Sequence, residues 1–428
     1  MNYNDSVSYL DRHIDLGAKP GLSRMNDLLE MMGQPQEGYP IIHVAGTNGK
    51  TSTSRMATLI LVAHGLATGT YTSPHLQKVE ERLAVNGRYA TEDEFALAVQ
   101  DVAAFADLRE ANQAESNTYF ELATASAFAF FADQAVNAVV LEVGLGGRLD
   151  ATNVVDAEVC VVTSIGVDHT EYLGSDIATI AREKLGIVGP NSILVTGPLP
   201  DDALDAANQT CREFGIHHRR FGVDFKIGDV TRGVGGWMAT IDGAEDTYEE
   251  IFLPLHGRYQ VTNLAMAVAA AEALLGDKLD TDALNDAASA ISIAGRLEGV
   301  ATKPLVMVDG AHNADGIDTL VDSLREEFPN TRWQLVLGVM GDKNVELMVE
   351  RLVPLLDGVI ATGVDDKRAV PPSELAERIA SVVDVPVIVA DSVEHAIDMA
   401  RAETGPDGAV LITGSLYLVG EARDLLVD

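Results

Sequence analysis

The sequence predicts an α/β protein with a mainly parallel, doubly wound sheet, and three observations support this fold class. Short apolar runs alternate with segments of helical periodicity along most of the chain, as they do when helices connect parallel strands. One such run, residues 40–45, leads into a glycine-bracketed turn and a Lys-Thr pair, and then into a helical segment whose apolar periodicity runs from Met56 toward Gly65. The chain has 428 residues, which is long for one domain, so two or three domains are expected.

The first domain is predicted to span residues 1–295. It begins with a helical lead-in at residues 5–33, which is broken at Gly17 and at Pro20-Gly21. Further helices are expected at 91–113, 118–135 and about 262–275, and strands at 40–45, 138–141, 158–164 and 192–196. Short alternating runs with many glycines predict a small antiparallel insertion at about residues 221–255.

Residues 296–428 are predicted to form a second, smaller α/β domain. Its apolar runs are again separated by helical segments, which indicates another mainly parallel sheet. The strands are expected at 304–309, 334–340, 358–362, 385–390 and 409–413.

The composition excludes several classes of partner. Acidic residues outnumber basic ones 65 to 30, and the resulting formal charge of −35 would repel nucleic acid and an anionic membrane surface. The apolar stretch at 122–132 is shorter than the roughly 18 residues of a spanning helix, and the N-terminus has no signal-like apolar region. Two cysteines allow neither a disulfide framework nor a cysteine metal site. A cytoplasmic protein is expected; composition leaves adaptation to salt open.

The turn after residues 40–45 is a candidate phosphate-binding loop, formed by Gly46, Thr47, Asn48, Gly49, Lys50 and Thr51. Backbone N–H groups in such a loop, with the N-terminus of the following helix, bind phosphate oxygens. Lys50 would reach the terminal phosphates of a nucleotide, and the Thr51 hydroxyl would supply an oxygen to Mg²⁺. The common nucleotide loop has another glycine where Val44 stands, so a chance Gly-Lys-Thr turn is the alternative interpretation.

Polar residues follow several predicted strands, at the edge where ligands gather on parallel sheets. Thr51, Ser73, Glu142 and His169 all lie just past these strand ends. Glu142 closes an apolar strand, where a carboxylate can hold Mg²⁺ beside a phosphate loop; the polar end of a strand is an equally good explanation. Taken alone, His169 is better explained as a structural hydrogen-bonding residue, and Lys184 as a solvated charge on a helix.

Short motifs occur in a fixed order along nearly the whole chain: residues 21–24, 43–53, 71–76, 81–87, 118–121, 142–153, 166–170, 255–260, 295–298, 309–313 and 413–418. Together they resemble the folylpolyglutamate synthase/dihydrofolate synthase family, a branch of the Mur-type ATP-dependent amide ligases. The resemblance implies a Mur-ligase-like P-loop ATPase domain with a small antiparallel sheet. A Rossmann-like C-terminal domain for glutamate ligation would follow it.

The resemblance also implies the nucleotide and metal residues. Residues 46–51 would bind the phosphates of ATP, and further nucleotide contacts would come from Asn263, Arg296 and Asp309. Two Mg²⁺ ions are expected, one on Ser73 and Glu142, beside the Thr51 hydroxyl that the loop itself indicates, and a second on His169. Lys184 resembles a lysine that carbon dioxide converts to an anionic carbamate in this family, where it helps to organise the second metal.

Substrate contacts are implied in the same way. The positions that match the family's substrate surface are Arg24, Ser73, Pro74, Arg82, Thr118, Tyr119, Phe120, Glu121, Leu149, Asp150 and Ala151. His312 and Ser415 lie in motifs expected near the incoming glutamate, and with Lys50 and Lys184 they are the candidate catalytic residues. The expected partners are a folate or dihydropteroate, L-glutamate and ATP, and a monomer is the family-level expectation.

Two other functions compete with this interpretation. A cell-wall amino-acid ligase needs a domain for its nucleotide-sugar substrate, whereas only about 40 residues precede Gly46, fewer than an ordinary domain contains. A non-catalytic nucleotide-binding switch would not need the full set of metal and nucleotide positions. The chain also departs from the family pattern at Thr51, at Leu185, and at Ala294 and Ala314, where proline is frequent. The sequence leaves open whether one or both folate reactions are catalysed.

Overall fold

The computed structural model of the chain describes residues 1–17, 19–112 and 114–427. They form two compact units: Met1–Pro254 with Val261–Ile291, and Leu255–Gln260 with the residues from Ser292 onward. The two units separate between Ile291 and Ser292, close to the predicted domain boundary between residues 295 and 296, and residues 255–260 group with the second unit. Within this unit the Glu327 carboxylate accepts a hydrogen bond from the backbone N–H of Gly257 and bonds His256 Nδ1 at 2.7 Å.

The first unit contains an eight-stranded sheet with the order β4-β3-β2-β5-β1-β6-β7-β8. The strands are β1 Ile41–Ala45, β2 Thr68–Tyr71, β3 Leu83–Val85, β4 Arg88–Tyr89, β5 Ala138–Glu142, β6 Val159–Val162, β7 Ile193–Thr196 and β8 His218–Arg220. All neighbours from β2 to β8 in this order are parallel, whereas β3 and β4 add an antiparallel edge. Every residue of β1, β5 and β6 is buried, as expected for central strands that are covered on both faces.

Ten helices accompany this sheet among the described residues: α1 Tyr3–Asp11, α2 Ser23–Met31, α3 Lys50–Ala63, α4 Glu92–Ala111, α5 Tyr119–Asp133, α6 Thr170–Leu173, α7 Ile177–Leu185, α8 Asp201–Phe214, α9 Tyr259–Leu275 and α10 Thr281–Ser289. Capping boxes fix the starts of the two long helices that precede β5. Thr91 and Glu94 exchange hydrogen bonds at α4, and Thr118 and Glu121 do so at α5. The predicted lead-in is two separate helices, α1 and α2.

A separate three-stranded antiparallel sheet has the order β11-β10-β9 and occupies the predicted insertion. Its strands are β9 Lys226–Gly233, β10 Gly236–Asp242 and β11 Thr247–Leu253. The buried Glu272 carboxylate connects this sheet to α9, because it accepts hydrogen bonds from Ala244 N at 2.8 Å and from the Tyr248 hydroxyl at 2.7 Å.

The second unit is a six-stranded sheet with the order β12-β13-β17-β14-β15-β16. The strands are β12 Glu298–Thr302, β13 Leu305–Asp309, β14 Trp333–Leu337, β15 Leu356–Ala361, β16 Val387–Val389 and β17 Ala409–Thr413. The helices are α11 Ala314–Glu327, α12 Val345–Leu352, α13 Pro372–Ala380, α14 Val393–Thr404 and α15 Leu416–Leu426. Only β12 runs antiparallel to its neighbour. The predicted α/β fold class is confirmed for both units.

Within the described ranges, every helix is too short or too polar to cross a lipid bilayer.

The excess of acidic residues leads to a prediction about salt. A formal charge of −35 destabilises the compact state by self-repulsion, and salt screens repulsion between exposed charges. We expect the melting temperature at pH 7.5 to rise by about 2 to 3 °C between 0.1 M and 1 M KCl, as a gain of roughly 2 kcal/mol would produce in a chain of this size. Differential scanning calorimetry measures this shift.

The matched control is the same salt series at pH 5.5, where proton uptake, mainly by histidine side chains and to a small extent by carboxylates, reduces the net negative charge. The rise should be smaller there. Equal rises at both pH values would show that salt acts through something other than charge screening.

Candidate active site

The loop between β1 and α3 has the backbone geometry of a phosphate-binding turn. Gly46 has a φ of 154° and Gly49 a φ of 86°, which are values that favour glycine. A Cβ atom on Gly46 would lie 1.9 Å from Thr163 Oγ1, so a side chain is also excluded by space. The turn delivers Lys50 and Thr51 to the first turn of α3, and the N-terminus of a helix is a place where backbone N–H groups bind anions.

The segment that follows β6 holds this loop in place. Ser164 accepts hydrogen bonds from Thr47 N through its carbonyl and from Asn48 N through its hydroxyl, each at 2.9 Å. Thr163 Oγ1 donates to the carbonyl of Asn48 at 2.7 Å. Sequence reasoning did not single out Thr163 or Ser164. Their signal is a pair of hydroxyl residues at the end of an apolar strand that neighbours β1.

Two lysine side chains meet at one carbonyl oxygen of the loop. Lys50 Nζ donates to the carbonyls of Gly46 at 2.9 Å and Thr47 at 3.1 Å. Lys184, from the last turn of α7, donates to the same Gly46 oxygen at 3.0 Å and is only 5% exposed. Burial, followed by the nearby Lys50 charge, lowers the pKa of Lys184 to about 7. The sequence interpretation of Lys184 as a solvated helix charge is therefore wrong, and near pH 7 a large fraction of its amine is neutral.

A group of oxygen ligands lies next to this loop. Thr51 Oγ1 donates to Glu142 Oε1 at 2.9 Å, and Glu142 is buried at the end of β5. Tyr71 pairs with Leu141, so Ser73 follows β2 at the same edge of the sheet. Ser73 Oγ is buried and has no hydrogen-bond partner among the described residues. Buried hydroxyl and carboxylate oxygens of this kind fit Mg²⁺, which prefers hard oxygen ligands.

His169 is in a different environment from these buried oxygens. It has a φ of 51° and precedes the short helix α6. Its imidazole is 42% exposed, and Nε2 lies 4.0 Å from Asp168 Oδ2. The ring is therefore accessible to a ligand from solvent.

Residues 144–153, the turn that follows β5, pack against the end of α7. A Cβ on Gly147 would lie 2.6 Å from the carbonyl oxygen of Glu183, and Arg148 N donates to that oxygen at 2.8 Å. The buried Asp150 carboxylate accepts hydrogen bonds from Leu145 N at 2.8 Å and from the Thr152 hydroxyl at 2.6 Å. Asp150 thus organises the turn from inside, while Leu149 is exposed on its surface.

The predicted substrate residues on α2 and α5 form a buried ionic network. Arg24 Nη2 lies 2.9 Å from Glu121 Oε1, and Asn117 Nδ2 donates to Glu121 Oε2 at 3.2 Å. Thr118 caps the N-terminus of α5, because its hydroxyl oxygen accepts a hydrogen bond from Glu121 N. Arg24, Thr118 and Glu121 therefore stabilise the start of α5.

An aromatic group lies beside this network. The Arg82 guanidinium lies over the Tyr119 ring, 5.6 Å from its centroid, and its Nε donates to His75 Nδ1 at 3.0 Å. Burial and the Arg82 charge lower the pKa of His75 to about 4, so His75 is neutral and can accept that bond. Phe120 packs against Gly144, where a Cβ would lie 2.4 Å from its ring. Pro74 is exposed and Ala151 is buried.

Asn263 on α9 contacts the phosphate loop directly. A Cβ on Gly49 would lie 2.7 Å from Asn263 Oδ1, so the carboxamide and the loop backbone are in close contact. The predicted place of Asn263 near a nucleotide stays a prediction.

In the second unit, the predicted residues gather at the ends of β13 and β17. The buried Asp309 carboxylate accepts from Leu297 N at 2.7 Å and Ala311 N at 2.8 Å, and burial raises its pKa. Arg296 contacts Gly310, and His312 Nδ1 bonds the Gly310 carbonyl at 2.8 Å. Ser415 is buried and caps α15 by accepting from Leu418 N at 3.0 Å. Its hydroxyl therefore has a structural role that the sequence did not predict.

Comparison with known proteins identifies both halves of the chain. Residues 44–271 match the Mur ligase middle domain, and residues 295–416 match the Mur ligase glutamate ligase domain. A dihydrofolate synthase/folylpolyglutamate synthase from Mycobacterium tuberculosis is 35% identical over 95% of this chain and 90% of its own length.

Solved structures agree with these matches. A Mycobacterium tuberculosis folylpolyglutamate synthase complexed with ADP and AMPPCP superposes with a TM-score of 0.94 at 35% identity, covering 100% of this chain and 99% of the other. Escherichia coli FolC in complex with DHPP and ADP gives a TM-score of 0.88 at 32% identity, covering 99% of this chain and 97% of the other. The chain therefore belongs to the dihydrofolate synthase/folylpolyglutamate synthase family of the Mur ligases, and it is an ATP-dependent ligase.

Proposed function

We propose that this ligase uses ATP to add L-glutamate to the carboxyl group of a folate, and also to that of dihydropteroate. The observation that carries the proposal is the convergence of Lys50 and Lys184 on the Gly46 carbonyl, beside the Thr51–Glu142 pair. The relative from Mycobacterium tuberculosis, whose name includes both activities, supports the two substrates. A cell-wall amino-acid ligase is disfavoured because the full-length relatives compared above are folate enzymes.

The reaction must overcome the poor reactivity of a carboxylate toward an amine. Transfer of the γ-phosphoryl group from ATP to a carboxylate oxygen forms an acyl phosphate and releases ADP. The neutral amine of glutamate then attacks the acyl carbon and forms the C–N bond. Phosphate leaves with the former carboxylate oxygen, and the nitrogen loses its proton. Lys50 and the N–H groups at the start of α3 would hold the phosphates in line during the transfer.

Glu142, Thr51 and Ser73 are the residues that would hold one Mg²⁺. The buried Ser73 hydroxyl and the Thr51–Glu142 pair supply the oxygen ligands that this ion prefers. When bound there, Mg²⁺ would offset the negative charge that develops as the phosphoryl group moves. His169 is the proposed ligand of a second ion, since its ring is accessible and next to Asp168.

Lys184 is suited to react with carbon dioxide. A neutral amine is the nucleophilic form, and the lowered pKa of Lys184 gives that form near pH 7. Attack of Nζ on the carbon of carbon dioxide forms an N–C bond, and loss of one proton leaves an anionic carbamate. A carbamate would replace a cation beside Lys50 by an anion, which would remove the repulsion between the two side chains.

The proposed substrate residues fall into two groups, those that would contact the pterin ring and those that would support the contacting residues. Tyr119, Phe120, Leu149 and Pro74 present apolar surface on which a pterin ring could stack. Arg24, Arg82, Thr118, Glu121, Asp150 and Ala151 would shape that surface from behind. In the second unit, His312 and Ser415 would lie near glutamate, and Arg296 and Asp309 would contact the nucleotide. We further propose that the enzyme works as a monomer in the cytoplasm.

The proposed function predicts a defined substrate requirement. Release of ADP and of phosphate should depend on both L-glutamate and a pterin acid, because the acyl phosphate is productive only when an amine attacks it. We expect turnover with dihydropteroate and with a reduced folate monoglutamate, each supplied in a coupled ADP-release assay. Replacement of L-glutamate by D-glutamate is the control. Turnover that is independent of glutamate would contradict the proposal and favour a nucleotide switch.

The metal assignment predicts the effect of Glu142→Gln. Glutamine keeps an oxygen that can accept from Thr51 but lacks the negative charge, so kcat should fall by at least about 100-fold, which corresponds to the several kcal/mol that a metal ion contributes. Glu142→Ala should lose product formation as well while remaining folded. The assay is repeated over a Mg²⁺ titration, in which the ion concentration for half-maximal activity should increase.

Glu213→Gln is the matched control, because Glu213 lies exposed on α8. It should behave like the wild type. Near-normal turnover of Glu142→Gln at low Mg²⁺ would remove Glu142 from the metal site.

The carbamate assignment predicts a chemical rescue. Lys184→Ala should reduce kcat by about 100-fold or more, because the anion that orders the site is lost. Added acetate or propionate should restore part of the activity by supplying a carboxylate in the vacated space. Lys226→Ala, in which the lysine is 60% exposed and paired with Asp242, should retain full activity. Full activity of Lys184→Ala without added acid would exclude the role.

A further inference from the structure

A buried threonine links the central strand of the first unit to the turn that supports Lys184. Thr152 is fully buried, and its Oγ1 lies 2.9 Å from His43 Nε2 and 2.6 Å from Asp150 Oδ1. His43 is itself fully buried in β1. The three side chains therefore form a continuous hydrogen-bonded chain from the strand to the turn.

The direction of these hydrogen bonds is fixed by the groups themselves. A carboxylate can only accept, so the single hydroxyl hydrogen of Thr152 is donated to Asp150. The Thr152 oxygen must then accept from His43, which places the imidazole hydrogen on Nε2. Burial lowers the pKa of His43 to about 3, which agrees with a neutral ring that carries this one hydrogen. His43 does not titrate near neutral pH and serves as a fixed donor.

Residues 144–153, which these hydrogen bonds hold in place, in turn contact the end of α7. Asp150 N donates to the Gly147 carbonyl at 3.0 Å, and a Cβ on Gly147 would lie 2.7 Å from the Lys184 carbonyl oxygen. Asn153 Nδ2 donates to the carbonyl of Gly186 at 3.0 Å. The end of α7 thus rests on the backbone of the turn, with no room for a side chain at the contact.

Both ends of this network lie at β1. His43 is a residue of β1, and Lys184 donates to the carbonyl of Gly46, the residue that follows β1. We propose that Thr152 is a positioning residue, whose hydroxyl holds residues 144–153 against α7 and thereby sets the reach of Lys184 Nζ to the phosphate loop. This inference rests on the proposed role of Lys184.

Loss of the hydroxyl has a specific consequence. In Thr152→Val the shape is kept, but His43 Nε2 loses its acceptor and Asp150 loses a donor, and both are buried. The turn can then shift to find new partners, and a small displacement of Lys184 is costly because reacting groups must be placed within a fraction of an ångström. Thr152→Ser retains the hydroxyl and loses only the methyl group.

The test compares these variants in the coupled assay with saturating folate and glutamate. Thr152→Val should lower kcat by about 10- to 100-fold, the range typical for loss of a hydrogen-bonding partner that orients the ligands of a metal site, to which Lys184 is proposed to contribute. Thr152→Ser should stay within about threefold of the wild type, and KM for ATP should change by less than about threefold in both. Thr196→Val is the matched control, because Thr196 Oγ1 bonds His218 Nε2 at 2.8 Å in the same sheet but at β7 and β8. It should leave kcat unchanged.

A crystal structure of Thr152→Val supplies a second readout, in which Lys184 Nζ should have left the Gly46 carbonyl. The inference is overturned if Thr152→Val keeps wild-type kcat, if Thr152→Ser loses as much activity as Thr152→Val, or if the lysine contact is retained. Should Thr152→Val fail to fold, Thr152→Ala takes its place with the same outcomes. Failure of the proposed function is distinguishable, because the wild type itself would then show no glutamate-dependent turnover, while the crystallographic contact would still decide the role of Thr152.

Discussion

The first unit is organised around one carbonyl oxygen, that of Gly46, which accepts hydrogen bonds from two lysine amines. Lys50 reaches it from α3 at 2.9 Å and Lys184 from α7 at 3.0 Å. Burial of the Lys184 amine and, after it, the nearby Lys50 charge lower the pKa of Lys184 to about 7. The contact requires a strand end, a left-handed glycine turn and two helices to converge on one point. Each of these features is present because a buried parallel sheet brings its strand ends to a common edge.

The charge of the chain makes this local arrangement necessary. With 65 acidic and 30 basic residues, the long-range field repels a nucleotide. Under the proposed function, binding of the phosphates would therefore depend on short-range contacts: the N-terminus of α3, the loop amides and the Lys50 amine. Short-range contacts in a buried site are also less sensitive to screening by salt than surface attraction is. The acidic surface and the cationic loop are thus compatible within one protein.

The positions of several candidate site residues could be predicted, because the sequence shows where each apolar strand ends. Glu142 after an apolar run and Thr51 after the loop were assigned to the same edge, and they are hydrogen-bonded at 2.9 Å. The supporting contacts could not be predicted. Thr163 and Ser164, which follow β6, are hydrogen-bonded to the loop that follows β1. Arg24 pairs with Glu121, which lies 97 residues further along the chain on another helix. Such pairs have no spacing rule, since they depend on which elements the fold brings together.

The sequence by itself determined the α/β class, the phosphate loop and the family, because hydrophobic periodicity and short motifs are local properties of the chain. Only the tertiary structure decided how the polar residues are used. It buried Lys184 against Gly46, committed Asp150 to the interior of a turn, and made Ser415 the cap of a helix. The physical reason is that burial and hydrogen-bond partners, which set the charge state and the role of a side chain, arise from residues that are distant in sequence.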